Sequence, residues 1–153
     1  MARFHLLLPA LLMATLVMAQ PPVRRELGGF SLQLPSAVVQ QAGGIDSHAG
    51  HLIGDGLRID YDLGIHADPL KPRDGISGRE ERAVVVDGRP ARMVSWRVEH
   101  PAPARYFIGL HLPQVGDSVM GPIRLTLLAQ TPDPARLAEA QAMLLSLRLA
   151  PRL

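Results

Sequence analysis

The sequence predicts an α+β domain in which an antiparallel β-sheet of about seven strands is covered on one face by a C-terminal amphipathic helix. Short segments alternate apolar and polar residues with the two-residue period of half-buried strands. Asp-Gly pairs at residues 55–56 and 87–88 separate such segments, as the turns of β-hairpins do. After residue 131 the apolar spacing changes to that of a helix.

The first half of the domain contains an isolated strand and a hairpin. FSLQL at residues 30–34 places Phe30, Leu32 and Leu34 on one face and ends at a proline. The hairpin joins residues 48–53 to the segment LRIDYDLGI at residues 57–65. In that second strand the apolar residues share one face, and the opposite face carries Arg58, Asp60 and Asp62. The segment between residues 36 and 44 is expected to be a helical turn or irregular.

The second half contains four more strands and the helix. A hairpin over residues 79–98 is followed by strands at residues 105–113 and 123–130, with loops at 66–78 and 114–121. Trp96 alternates with two valines and is expected in the core, whereas His100 and His111 are expected to be polar tips at strand ends. Asp133 and Pro134 predict the start of a helix that ends near residue 146.

The N-terminal residues 1–19 have the pattern of a secretory signal peptide. Arg3 precedes an apolar run from Leu6 to Met18, and small residues predict cleavage after Ala19. The run is too short to cross a membrane comfortably and Pro9 interrupts it, so the mature chain is not expected to span a membrane. We therefore expect a periplasmic or secreted bacterial protein with a flexible lead at residues 20–29 and one domain at residues 30–150.

The composition excludes several function classes. The chain has no cysteine, which excludes disulfides, thiolate metal sites and cysteine nucleophiles. Its net charge is only +2, and its arginines are spread along the chain, which predicts that it does not bind nucleic acid. No glycine-rich loop precedes a helix, so no nucleotide site and no cofactor are predicted.

The first hairpin contains most of the possible metal ligands. Imidazole and carboxylate groups suit zinc and other divalent metals, and the segment also carries Asp46, His48 and Asp55. Side chains alternate along a strand, so the whole set cannot share one face. A turn at residues 55–56 places His51 opposite Asp60. The metal candidates that remain are His51, Asp60, Asp62 and His66, and the alternative is a solvated sheet face.

No catalytic residue is predicted. Ser47 lies beside Asp46 and a histidine, but adjacent residues on a strand point apart, whereas a catalytic triad is assembled from separate segments. Glu80 and Glu81 are also neighbours and are expected to be solvated residues at a strand edge.

Three segments resemble the PsbP-like superfamily, whose fold is shared with a Ran-binding nuclear import factor. They are GGFSLQLPSAVV, the central hairpin VVVDGRPARMVSW, and the closing strand and helix IRLTLLAQTPDPARLAEAQAMLLSLRL. The chain is also similar to uncharacterised exported bacterial proteins that carry a GIDSH-x-G segment followed by DY. The resemblance implies an α/β/α-type sandwich built on an antiparallel sheet, and an accessory or binding role without catalytic residues.

The predicted function is therefore a non-catalytic accessory or protein-binding module of the bacterial envelope, with loops 66–78 and 113–121 as recognition sites. Two alternatives remain. One is a divalent-metal-binding protein that uses the hairpin at residues 46–66. The other is a carrier of a small apolar ligand, which requires a cavity beneath the helix at Leu137, Met143 and Leu144.

Overall fold

The computed structural model describes residues 21–36, 38–42, 48–54 and 56–151, apart from the side chains of residues 39, 41 and 42. The predicted signal segment lies outside these residues, as do Asp46, Ser47 and Asp55.

The described chain consists mainly of strands. In chain order they are β1 (Val23–Glu26), β2 (Phe30–Leu34), β3 (Val39–Ala42), β4 (His48–Gly54), β5 (Leu57–Gly64), β6 (Ser77–Val86), β7 (Arg89–Val98), β8 (Arg105–Ser118), β9 (Gly121–Thr131) and β10 (Arg148–Leu149). A 3₁₀ turn at Pro134–Arg136 and the helix α1 (Leu137–Leu145) precede β10. The α+β class with antiparallel pairing is confirmed.

The prediction of a single sheet is wrong, because the strands form two sheets. The smaller sheet has the order β1-β2-β10, and the larger has the order β3-β4-β5-β9-β8-β7-β6. All the observed pairings are antiparallel. The first predicted strand, β2, is bonded on both edges by short strands that have little apolar alternation of their own. It therefore belongs to the smaller sheet.

Three segments differ from the predicted elements. Residues 39–42, expected to be a helical turn or irregular, form the edge strand β3. The predicted flexible lead contains β1, which pairs with β2 along its whole length. Most of the predicted loop at 113–121 is strand, because β8 continues to Ser118 and β9 begins at Gly121. In each case a neighbouring strand supplies hydrogen bonds to a segment whose own pattern is weak.

One apolar core lies between the two sheets and the helix. Its largest fully buried side chains include Phe30 of β2, Leu110 of β8, Leu127 of β9 and Leu144 of α1. The helix contacts β2, β8 and β9 and buries Ala140, Met143 and Leu144, as its spacing predicts. Asp133 accepts a hydrogen bond from the Ala135 amide at 2.9 Å and so caps the 3₁₀ turn that begins at Pro134. The α-helix itself begins at Leu137, later than predicted.

The connection from β5 to β6 crosses the larger sheet, because β9, β8 and β7 lie between these two strands. We call this connection, residues 65–76, the strap. It runs over the sheet face that points away from the helix, as its contacts with β7, β8 and β9 show. In the described part of the chain, no helix is long and apolar enough to cross a membrane.

Candidate functional site

The outer face of the larger sheet, opposite the helix, carries most of the polar side chains that could do chemistry. The register places Asp60 beside His51 on one side and Leu128 on the other. It also aligns His111 with Arg92 and with Thr126. Because side chains alternate, all of these residues project to the same face, and their neighbours along each strand enter the core.

The predicted pairing of His51 with Asp60 is confirmed, but a guanidinium group accompanies the pair. The Nδ1 atom of His51 lies 2.5 Å from Oδ1 of Asp60. Arg58 donates to the same carboxylate oxygen at 2.7 Å, and its terminal nitrogen lies 3.0 Å from His51 Nδ1. The guanidinium group of Arg58 therefore supplies the positive charge beside the Asp60 carboxylate.

The other two metal candidates do not join this pair. Asp62 has one buried carboxylate oxygen without a hydrogen-bond partner among the described residues. His66 is an exposed residue of the turn at the start of the strap. Among the described residues, no group of three or more His, Asp or Glu side chains is arranged to hold a metal ion.

The strap is held to the outer face by hydrogen bonds to its carbonyl groups. Thr126 donates to the carbonyl oxygen of Asp68 at 2.7 Å, and Arg92 donates to that of Pro69. Arg79 donates to the carbonyl oxygen of Leu70 at 3.1 Å. These bonds come from three different strands, so the strap is fixed across the sheet.

One apolar contact fixes the middle of the strap. Leu70 has a positive φ of 54° and is only 3% exposed. Its Cδ1 atom occupies the space above Gly109, where a Cβ atom would be 2.4 Å from it. Loop 66–78 was predicted as a recognition site, and its first half is packed on the sheet, with Ala67 and Leu70 buried.

His111 is the functional candidate that the sequence prediction assigned wrongly. It is 5% exposed, not a polar tip, and its Nδ1 atom lies 2.9 Å from the Thr126 hydroxyl oxygen. Burial lowers the pKa of His111 to about 4, and the positive charges of Arg92 and Arg124 contribute to this shift. The alternation along β8 predicts the face that His111 occupies, but only the strap explains its burial.

Glu81 links two of the arginines on the outer face. Its carboxylate lies 2.7 Å from Arg79 and 3.3 Å from Arg92. The hydrogen bond from Arg79 lowers the pKa of Glu81.

Trp96 also lies on this face, stacked on Phe107 with ring centroids 5.3 Å apart, so its predicted place in the main core is wrong.

The second candidate region is the two-stranded end of the β8–β9 hairpin, residues 113–123, which we call the ribbon. The β7–β8 pairing ends at His111, and the β5–β9 pairing ends at Arg124. Beyond these points β8 and β9 pair only with each other among the described residues. At the turn, Val119 is 102% exposed and Met120 is 77% exposed.

An apolar pocket of about 400 Å³ lies at the base of the ribbon. Val115 and Ile123 of the ribbon line it, together with Leu63, Ile65 and Leu149. The pocket therefore lies between the ribbon, the end of β5 and β10.

Comparison with known proteins found no protein-family model that matches the chain and no matching curated protein.

Proposed function

We propose that the chain is an exported, non-catalytic binding module of the bacterial envelope, and that its ribbon contacts a partner protein. The exposure of Val119 and Met120 at the ribbon turn is the observation that carries this proposal. Isolated exposed apolar residues are common on protein surfaces, but here two lie side by side at the end of a projecting element. Burial of each by a partner would contribute about 1.5–3 kcal/mol.

The free edges of the ribbon favour a protein as the partner. On the edge of β8 that faces away from β9, residues 113–118 pair with no strand of the described chain. The Arg89 side chain donates to the Gln114 carbonyl at 3.4 Å. Such edges accept an extended peptide by strand addition. The apolar pocket at the ribbon base would receive an apolar side chain of the added strand, and Arg89 and Asp117, which also line it, would bond polar groups.

Export and family membership belong to the same proposal. Residues 1–19 would direct the chain to the periplasm or the medium, with cleavage after Ala19, and the mature chain would be a PsbP-like accessory domain. N-terminal sequencing of the exported protein tests the first part. A mature chain that begins at Gln20 supports it, and a retained Met1 contradicts it.

Site-specific photo-crosslinking tests the role of the ribbon. A photoreactive amino acid at position 119 should crosslink one envelope protein, whereas the same group at position 85 should not. Val85 is a suitable control because it is also an exposed valine, at 73%, but lies on β6.

The crosslinked partner would then be purified and its affinity measured. Val119→Ser combined with Met120→Ser should weaken binding at least tenfold relative to Val85→Ser. Equal affinity of the two variants would show that the ribbon turn does not make the contact.

A second candidate function is supported by the apolar pocket itself. A volume of about 400 Å³ suits a small apolar ligand. We therefore also propose a carrier role, at this pocket and not beneath the helix. None of Leu137, Met143 and Leu144 lines this pocket. Solvent extraction of the purified protein followed by mass spectrometry separates the two functions, because a carrier should release a stoichiometric small molecule.

A further inference from the structure

A second surface pocket, of about 530 Å³, lies beside the strap on the outer face. Its titratable lining residues come from four segments, namely Lys71 of the strap, Arg92 of β7, His111 of β8 and Arg124 of β9. The described residues place no Asp or Glu in its lining. The pocket therefore concentrates positive charge without a carboxylate to neutralise it from within.

The charge at this pocket is available to a ligand. Neither Lys71 nor Arg124 makes an ion pair with any residue that the structure describes. Arg92 shares the single carboxylate of Glu81 with Arg79, so that group of three also keeps one net positive charge. In addition, the Nε atom of Arg92 is buried without a hydrogen-bond partner.

The hydrogen bonds of His111 determine which of its nitrogens carries the proton. A carbonyl oxygen only accepts, so the single hydroxyl proton of Thr126 is donated to the Asp68 carbonyl. The Thr126 oxygen must then accept from His111, which places the proton on Nδ1. In the neutral ring, Nε2 is consequently a hydrogen-bond acceptor, and no described residue makes a hydrogen bond to it.

We propose that this pocket binds inorganic phosphate in a form that keeps a P–OH group. The side chains of Lys71 and Arg124 would bond the charged oxygens, since cationic donors make the strongest hydrogen bonds to oxyanions. The Nε2 atom of His111 would accept the P–OH proton. Sulfate has a similar shape and charge but carries no proton at neutral pH, so its oxygen would face the lone pair of Nε2. The pocket should therefore prefer phosphate to sulfate.

This inference goes beyond the proposed function and does not depend on it. The ribbon turn would meet a protein through Val119 and Met120, whereas the phosphate would contact Lys71, Arg124 and His111. A chain that binds phosphate and has no protein partner, or the reverse, would separate the two proposals.

Titration calorimetry at pH 7 and constant ionic strength tests the site with sodium phosphate and sodium sulfate. We expect saturable phosphate binding and at least tenfold weaker sulfate binding. Lys71→Gln and Arg124→Gln should each weaken phosphate binding about tenfold. The control is Arg97→Gln, which removes the same charge from an exposed side chain that pairs with Glu99 away from the pocket; its affinity should stay within twofold.

Three results would overturn the proposal. They are absence of saturable phosphate binding below about 10 mM, equal affinity for sulfate, and an equal loss in the Arg97→Gln control. The wild-type comparison of phosphate with sulfate needs no variant, so the proposal remains testable even if a substituted chain does not fold. Shifts of the His111 ring signals in nuclear magnetic resonance spectra should follow the same phosphate concentration as the calorimetric binding.

Discussion

The Cδ1 atom of Leu70 fills the space that a side chain at Gly109 would occupy, with only 2.4 Å between it and an added Cβ. Gly109 lies on β8, and Leu70 lies on the strap that connects β5 to β6. The absence of a side chain at position 109 therefore allows the strap to lie flat on the sheet.

Gly109→Ala should lower the free energy of unfolding by about 1–3 kcal/mol, because the added methyl group overpacks this contact. Chemical denaturation measures the change. Gly116→Ala is the matched control on the same strand, since an added Cβ there meets nothing nearer than 3.7 Å. In a Leu70→Ala background the cost of Gly109→Ala should fall, and an unchanged cost would show that Leu70 is not the obstacle.

Thr126→Val should destabilise the chain by about 1–3 kcal/mol, because it leaves the Asp68 carbonyl and His111 Nδ1 without their shared partner. Thr126→Ser keeps the hydroxyl and should recover most of the loss. Hydrogen exchange should show faster exchange of the strap amides in Thr126→Val. Equal stability of the valine and serine variants would contradict this role.

The stability of the fold should depend on pH through His111. Its pKa in the folded chain is lowered from 6.5 to about 4 by burial, with Arg92 and Arg124 adding to the effect. The unfolded chain therefore takes up the proton first as the pH falls. The contribution, at most about 3 kcal/mol, is complete above pH 6.5 and is lost as the pH falls toward 4.

Denaturation of wild type and of His111→Gln at pH 7 and pH 4.5 measures this contribution. The loss of stability on acidification should be smaller in His111→Gln, while His100→Gln, at an exposed position, should behave like wild type. The contribution of Glu81 to the stability of the fold is lost at a lower pH than that of His111, because the pKa of Glu81 in the folded chain lies below 4.5. An equal loss in all three proteins would exclude His111 as the source.

Asp60 and Asp62 should respond differently to the same substitution. Asp60→Asn weakens the contacts with His51 and Arg58 and should cost about 0.5–1 kcal/mol at this partly exposed site. Asp62→Asn should be neutral or stabilising, because it removes a charge that has a buried oxygen without a partner. Denaturation at pH 7 compares them, and a larger loss for Asp62→Asn would show a partner that the described residues do not include.

The strand pattern and one cross-strand pair were predictable from the sequence. Alternation located β2, β4, β5 and the later hairpins, and the turn at residues 55–56 set His51 opposite Asp60. These features depend on neighbours within one hairpin, where the two-residue period and the turn length decide the register. The sequence places Arg58 on the face of Asp60 but does not predict their hydrogen bond, because alternation gives the face of a side chain and not the partner that it reaches.

The larger site was not predictable, because it depends on strand order. His111, Arg92 and Arg124 belong to three strands, and Lys71 belongs to a segment that the sequence describes only as a loop rich in Pro and Gly. Their meeting requires that β9, β8 and β7 separate β5 from β6. No local pattern encodes that order.

The α+β class, the core face of β2 and β5 and the helical turn that Asp133 caps follow from the sequence, since they depend on short-range periodicity and capping. The division into two sheets, the path of the strap and the burial of His111 become visible only in the folded chain. Strand order and the crossover are selected by burial summed over the whole chain. The packing of Leu70 on Gly109 and the hydrogen bonds to the strap carbonyls stabilise this arrangement only after the sheet has formed.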